Sequence, residues 1–138
     1  MDANEDNLFK AEGYELMAAA FDVYNELGPG FLEEVYQEAL EFELTGRKVP
    51  LVSKPRLHIH YKGQVMRKYY DADLVVSEGI VVELKAVRTL LPEHEAQLLN
   101  ELKATRLRVG YLINFGASPR LQWERRVDST QSKYQTNR

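Results

Sequence analysis

Tyr70-Asp71-Ala72-Asp73-Leu74-Val75-Val76 and Ile80-Val81-Val82-Glu83-Leu84-Lys85-Ala86 are two oily runs, separated by Ser77-Glu78-Gly79, that carry charges in their interiors. Runs this apolar read as buried strands joined by a tight turn. Side chains alternate along a strand, so Val81, Glu83 and Lys85 point to one face and Val82, Leu84 and Ala86 to the other. Asp71 and Asp73 also share a face. With Gly79 in the left-handed position of a three-residue hairpin loop, the pairing predicts Asp73 opposite Glu83 and Asp71 opposite Lys85.

Two carboxylates about 4 Å apart repel by roughly 4 kcal/mol at an effective dielectric near 20, so a fold does not keep such a pair ionised for stability alone. Something positive belongs between them. A hard divalent cation such as Mg2+ or Mn2+ takes oxygen ligands and leaves room for waters and a phosphate. Lys85, two residues beyond Glu83, would then bring a fixed cation to the same spot. The competing reading is a cross-strand salt bridge of Lys85 with Asp71 and Asp73 on a solvated face.

The flanking pattern supplies the rest of the elements. A helix from about Leu8 to Leu27 carries Leu16, Met17, Ala20, Phe21, Tyr24 and Leu27 at helical spacing and stops at Gly28-Pro29-Gly30. A second, from about Phe31 to Thr45, has an apolar stripe of Phe31, Leu32, Val35, Tyr36, Ala39 and Phe42, with Glu33 at the stripe's edge near Leu40 and Leu44. Alternation then predicts strands over about Val49–Tyr61, Val65–Val76 and Ile80–Val87, with Lys62-Gly63 as the first turn. A helix from Leu90-Leu91-Pro92 to about Thr105 and a strand from Arg108 to Phe115 follow. Leu121, Trp123 and Val127 suggest a last short strand or docked tail, and Trp123 reads as a core or dimer anchor. His58 and His60 share one strand face, which reads as an exposed face rather than a metal site.

The chain of 138 residues, 44% of them hydrophobic, fits one domain over about 1–128, followed by a flexible tail over 129–138. No cysteine is present, which excludes disulfides and cysteine-ligated zinc or iron–sulfur centres and suits a reducing compartment. Met1 to Asp6 has neither the basic start nor the apolar run of a signal peptide, and no apolar stretch is long enough to span a bilayer, so a cytoplasmic protein without a membrane partner is expected. The net charge of −3 conceals an asymmetry: residues 1–46 hold 12 acidic and 1 basic side chain, residues 47–138 hold 9 acidic and 17 basic. The basic half, including Arg88, Arg106 and Arg108, is suited to phosphates.

The element order and the Asp73…Glu83-Leu84-Lys85 pattern resemble the PD-(D/E)XK nuclease superfamily, whose α/β core is a helix, a three-stranded antiparallel meander, a helix and a fourth strand. More narrowly the chain resembles the GxxExxY family. The naming motif reads Gly30-Phe31-Leu32-Glu33-Glu34-Val35-Tyr36. The Tyr61-Lys62-Gly63 turn, Ala72-Asp73-Leu74, Val82-Glu83-Leu84-Lys85-Ala86, His94-Glu95-Ala96-Gln97-Leu98-Leu99-Asn100 and Leu112-Ile113-Asn114-Phe115-Gly116 extend the match over roughly residues 14–127.

This resemblance implies a restriction-endonuclease-like fold and metal-dependent cleavage of phosphodiester bonds in DNA or RNA. Asp73 and Glu83 match the metal-binding acids and Lys85 the catalytic lysine, with the Leu84 backbone carbonyl and Glu33 as further ligands. Gln97 matches the glutamine of a Gln-x-x-x-Tyr helix motif, whose tyrosine position is here Glu101. His94, Gln97 and Glu101 fall on one helical stripe and could face the cleft. Small nucleases of this architecture often pair to embrace a duplex, which makes a homodimer a further expectation. The alternative is a non-catalytic module that keeps the fold and binds nucleic acid or a partner protein.

Overall fold

The computed structural model describes residues 7–129. The expected flexibility of the tail beyond Ser129 lies outside the described residues. Among the described residues three helices and seven strands follow in the order α1 (Lys10–Leu27), α2 (Glu33–Gly46), β1 (Leu51–Ser53), β2 (Arg56–Tyr61), β3 (Gln64–Asp71), β4 (Leu74–Val76), β5 (Ile80–Lys85), α3 (Pro92–Thr105), β6 (Val109–Asn114) and β7 (Gln122–Val127).

Five strands form one mixed sheet in the order β1-β4-β5-β6-β7, and β2 and β3 form a separate two-stranded hairpin. β1, β4 and β5 are the expected antiparallel meander, α3 crosses over to make β6 parallel to β5, and β7 closes the far edge antiparallel to β6. The hairpin interrupts this meander. Lys54, at φ 49°, and Pro55 end β1 before β2 begins, so the strand expected over Val49–Tyr61 is two. Ala72-Asp73 likewise divides the expected Val65–Val76 strand into β3 and β4.

Burial follows from the alternation. Leu74, Val76, Ile80, Val82 and Leu84 pack with Val109, Tyr111, Ile113 and Phe115 against Leu16, Ala20 and Val23 of α1 and Tyr36, Leu40 and Leu44 of α2. On the opposite face Val81 and Leu112 pack with Ala72 and with Leu98 and Leu102 of α3, and Leu57 of the hairpin joins them. The sheet is therefore covered on both faces, and Glu83 and Lys85 belong to the α3 side.

Two expectations about the helices are corrected. The buried face of α2 is Tyr36, Gln37, Leu40 and Leu44. Leu32 (72% exposed), Phe42 (69%), Phe31 and Val35 face outward. Glu33 thus leads the buried stripe, four residues before Gln37, instead of flanking an oily one. In α1, Phe21 is exposed while Ala19 and Val23 are buried. In both helices some bulky apolar residues stay outside, while smaller or polar ones, Ala19 and Gln37, join the buried leucines and Tyr36 at the sheet.

The turn between α1 and α2 accounts for the spacing of Gly30, Glu33 and Tyr36. Gly28 has φ 68° and Gly30 φ 113°, both in the region that favours glycine. The Tyr36 hydroxyl donates to the Gly28 carbonyl (2.5 Å) and accepts from the Phe31 N–H (3.2 Å). Its ring stacks on Phe115 with centroids 4.7 Å apart. Tyr36 is a buried brace that fixes where α2 starts, and hence where Glu33 stands.

Candidate active site

The β4–β5 hairpin has the expected register, with Leu74 opposite Val82, Val75 opposite Val81 and Val76 opposite Ile80. Its loop differs from expectation: Ser77 (φ 51°) and Glu78 (φ 65°) take the left-handed conformations, not Gly79. Gly79 is needed for space instead, since a Cβ there would lie 2.1 Å from the Phe9 ring.

Asp73 falls one residue outside that ladder, which frees its side chain for another role. Its Oδ2 accepts a hydrogen bond from the Leu84 N–H at 2.7 Å, so the carboxylate replaces a missing strand partner on β5. Its backbone carbonyl accepts from the Lys54 N–H (2.9 Å) and from Gln37 Nε2 (2.7 Å). Gln37 also donates to Glu41 (3.0 Å). Asp73 is thereby tied to β1, β5 and α2 at once. In the sequence Gln37 is marked only by its i+4 relation to Glu33, and it carries no charge.

Asp71 is not opposite Lys85. It pairs with Arg56 at the root of the β2–β3 hairpin, because β3 ends there. It nevertheless lines the same pocket as Asp73, Glu83 and Lys85, a space of about 220 Å³ walled on other sides by Glu33, His94, Gln97 and Glu101, with Leu84, Leu98 and Leu112 as its floor. Among the described residues Lys85 makes no ion pair with Asp71 or Asp73, which removes the salt-bridge reading.

Each wall has a local cause. Pro92 opens α3, and the Leu91 N–H donates to His94 Nδ1 at 3.0 Å, so His94 caps its own helix. One turn on, Gln97 is exposed at the rim, and a further turn on Glu101 is 6% exposed, with its carboxyl directed at β5. Glu33 is the first residue of α2 and is exposed at the pocket mouth. Behind β5, Asn114 anchors the loop that carries Arg88: its Oδ1 accepts from the Val87 and Gly116 N–H groups, and its Nδ2 donates to Gln122.

Glu83 is the electrostatic centre. Its carboxyl is pushed from 4.5 up to about 10, first by burial, then by a hydrogen bond with Glu101 and the charges of Glu101 and Asp73, with Lys85 acting in the opposite direction. Glu83 Oε2 and Glu101 Oε1 are buried and meet no N–H or O–H donor. Among the described residues no three His, Asp or Glu side chains stand arranged to hold a metal ion. In donor chemistry, however, the set fits a hard divalent cation: all oxygens, more acid than one lysine neutralises, and two buried oxygens without partners.

The remaining candidates stand apart. Arg88 is exposed in the loop after β5 and does not line the pocket. Arg106 caps the C-terminus of α3 with φ 64°, and Arg108 precedes β6, whose first residue pairs with Ile80 at the far end of β5 from Glu83 and Lys85. His58 is exposed and His60 half-buried on the hairpin. Trp123 is 40% exposed on β7 and stacks on Tyr111 at 6.0 Å.

A family model described as the PD-(D/E)XK nuclease superfamily matches residues 10–126. Among solved structures, the crystal structure of SSO0001 superposes with a TM-score of 0.55 at 19% identity, covering 94% of the present chain. The present chain spans 66% of the length of that protein, and the likeness is one of fold. A search of curated proteins gave no match.

Proposed function

Because the chain belongs to the PD-(D/E)XK nuclease superfamily, we propose that it is a metal-dependent nuclease hydrolysing phosphodiester bonds of DNA or RNA at the pocket between β5 and α3. The observation that carries this reading is Glu83, a buried carboxyl set among Asp73 and Glu101 with Lys85 alongside. Stability alone does not favour such a crowd of acids.

Asp73, Glu83 and the Leu84 carbonyl are the residues that would hold Mg2+ or Mn2+, with Glu33 at the mouth adding a carboxylate on the substrate side. Such an ion supplies Lewis acidity toward a phosphoryl oxygen and acidifies a bound water. Lys85, on the same face of β5 as Glu83, holds a positive charge toward the reacting phosphate and orients the attacking water. Gln97, exposed at the rim, offers its amide to a phosphate or a base edge. Asp73 is held still for this work by three hydrogen bonds, from Leu84, Lys54 and Gln37.

The test is cleavage of labelled single-stranded and duplex DNA and RNA with Mg2+ or Mn2+. Asp73→Ala and Glu83→Ala should each abolish cleavage and metal binding, and Lys85→Ala should lower the rate by about 10²-fold or more while leaving metal affinity largely intact. Cleavage retained by either acid variant overturns the assignment. Binding of nucleic acid by the wild type without product under either metal favours the non-catalytic module.

A further inference from the structure

The β2–β3 hairpin stands outside the main sheet and has no part in the pocket except at its root, yet it concentrates charge. From Lys54 to Tyr70 the sequence holds Lys54, Arg56, Lys62, Arg67 and Lys68 and no acidic residue, in a chain whose net charge is −3. Among the described residues none of these five cations has an ion-pair partner, whereas Arg47 pairs with Asp22, Glu15 and Glu43 and Arg126 with Glu95 and Glu124. Five unneutralised cations on one small element repel one another, which a polyanion relieves.

The hairpin's geometry leads toward the pocket. Lys62 (φ 48°) and Gly63 (φ 81°) form its two-residue turn, and residues 64–68 of β3 are exposed throughout. Leu57 packs against Leu98 and Leu102 of α3, so the face of β2 carrying Leu57 is turned inward. The other face carries Arg56 and His58 on β2, paired with Asp71 and Tyr69 on β3. The Arg56 guanidinium lies over the Tyr69 ring at 4.6 Å, which holds the cation in place on the outer face. Asp71, at the inner end of this face, is a wall of the pocket. The Lys54 N–H, at the other foot of the hairpin, donates to the Asp73 carbonyl. A strand lying along the outer face would therefore arrive beside Asp73 and Glu83.

We propose that this hairpin is the arm that grips the sugar–phosphate backbone of the nucleic acid, with Arg56 and Arg67 on its outer face and Lys62 at its turn as the phosphate contacts, and that Arg106 and Arg108 at the far end of the sheet are not. The proposal rests on the nuclease reading for the identity of the polyanion. Tyr61, 60% exposed beside the turn with the Lys62 ammonium over its ring at 5.5 Å, gives the tip a ring on which a base can stack.

The test uses the whole chain in EDTA, so that no cleavage occurs, and follows fluorescence anisotropy of a labelled single-stranded oligonucleotide and its duplex across a salt series. Each lost phosphate contact removes about 0.7 from the log–log salt slope on a single strand and about 0.9 on a duplex. Arg67→Ala combined with Lys62→Ala should therefore weaken binding about tenfold or more at low salt, and flatten the slope by about 1.4 on single strands or 1.8 on duplex. Both residues are exposed, so circular dichroism should match the wild type. Arg56→Ala should act in the same direction, and Lys10→Ala on α1 should leave affinity and slope unchanged. Unchanged affinity and slope in the hairpin variants, or no binding by the wild type, overturns the proposal. Adding Mn2+ to the same samples reads the active site separately: a wild type that still cleaves while the hairpin variants bind normally refutes the arm and leaves the nuclease reading standing.

Discussion

Glu83 sits where a carboxylate is hardest to keep charged. Its folded-state value of about 10 lies above the ordinary 4.5 because burial, the Glu101 carboxyl and the Asp73 charge all favour the proton, with Lys85 opposing them. The folded protein therefore keeps a proton that the unfolded chain gives up above about pH 4.5. The stability this contributes is fully present below that pH and is lost as pH rises toward about 10. In the absence of divalent cations the melting temperature should fall between pH 5 and pH 9, and Glu83→Gln, neutral throughout, should show a shallower fall. Parallel melting curves for the two proteins would show that Glu83 ionises freely in the folded state. Gln37 acts at the same scale without carrying charge. Gln37→Leu removes one of the hydrogen bonds that fix Asp73 and should lower Mn2+ affinity several-fold by calorimetry, with the fold intact. An unchanged affinity would mean that Leu84 and Lys54 suffice to hold Asp73.

Between elements, close approach is what the layers depend on. Gly13 in α1 is buried against β6, where a Cβ would lie 2.1 Å from the Tyr111 hydroxyl. Gly13→Ala should destabilise by about 1–3 kcal/mol in urea denaturation, as overpacking does. Tyr111→Phe in the same chain should recover part of the loss, because it removes the nearest atom. Strict additivity of the two changes would contradict the contact. The same scale shows which parts of the molecule were legible in the chain. Alternation in Leu74–Val76 and Ile80–Lys85 correctly put Glu83 and Lys85 on one face, because a period of two leaves no freedom once one face is buried. Helix stripes are harder to read because size is not burial: Phe42 and Leu32 look like core residues yet are exposed, while Gln37 is buried because it serves a carbonyl rather than filling space. Separating β1 from β2 and β3 from β4 required knowing that Pro55 and Asp73 bond across the gap to Ala72 and Lys54, contacts that no local pattern encodes.

Across the whole molecule, the acidic first 46 residues include all of α1 and α2, on one face of the sheet, while the basic hairpin roots beside the pocket on the other. The charge asymmetry of the chain is only partly one of faces, since Arg47 pairs with Asp22, Glu15 and Glu43 on the helical side, and Arg106 and Arg108 lie by the end of β5 away from the pocket. Glu101 shows the opposite lesson. At the position of the tyrosine in the Gln-x-x-x-Tyr pattern it adds a third buried or half-buried acid to the site, beside Asp73 and Glu83, and its partnership with Glu83 is visible only once α3 is set against β5. The proposed function stands or falls with a divalent cation held by this acid cluster. The most direct measurement is the anomalous difference map of a Mn2+-soaked crystal: a peak bonded to oxygens of Asp73 and Glu83, at about 2.0–2.2 Å, is the predicted result, and a map without a peak at that pocket would contradict it.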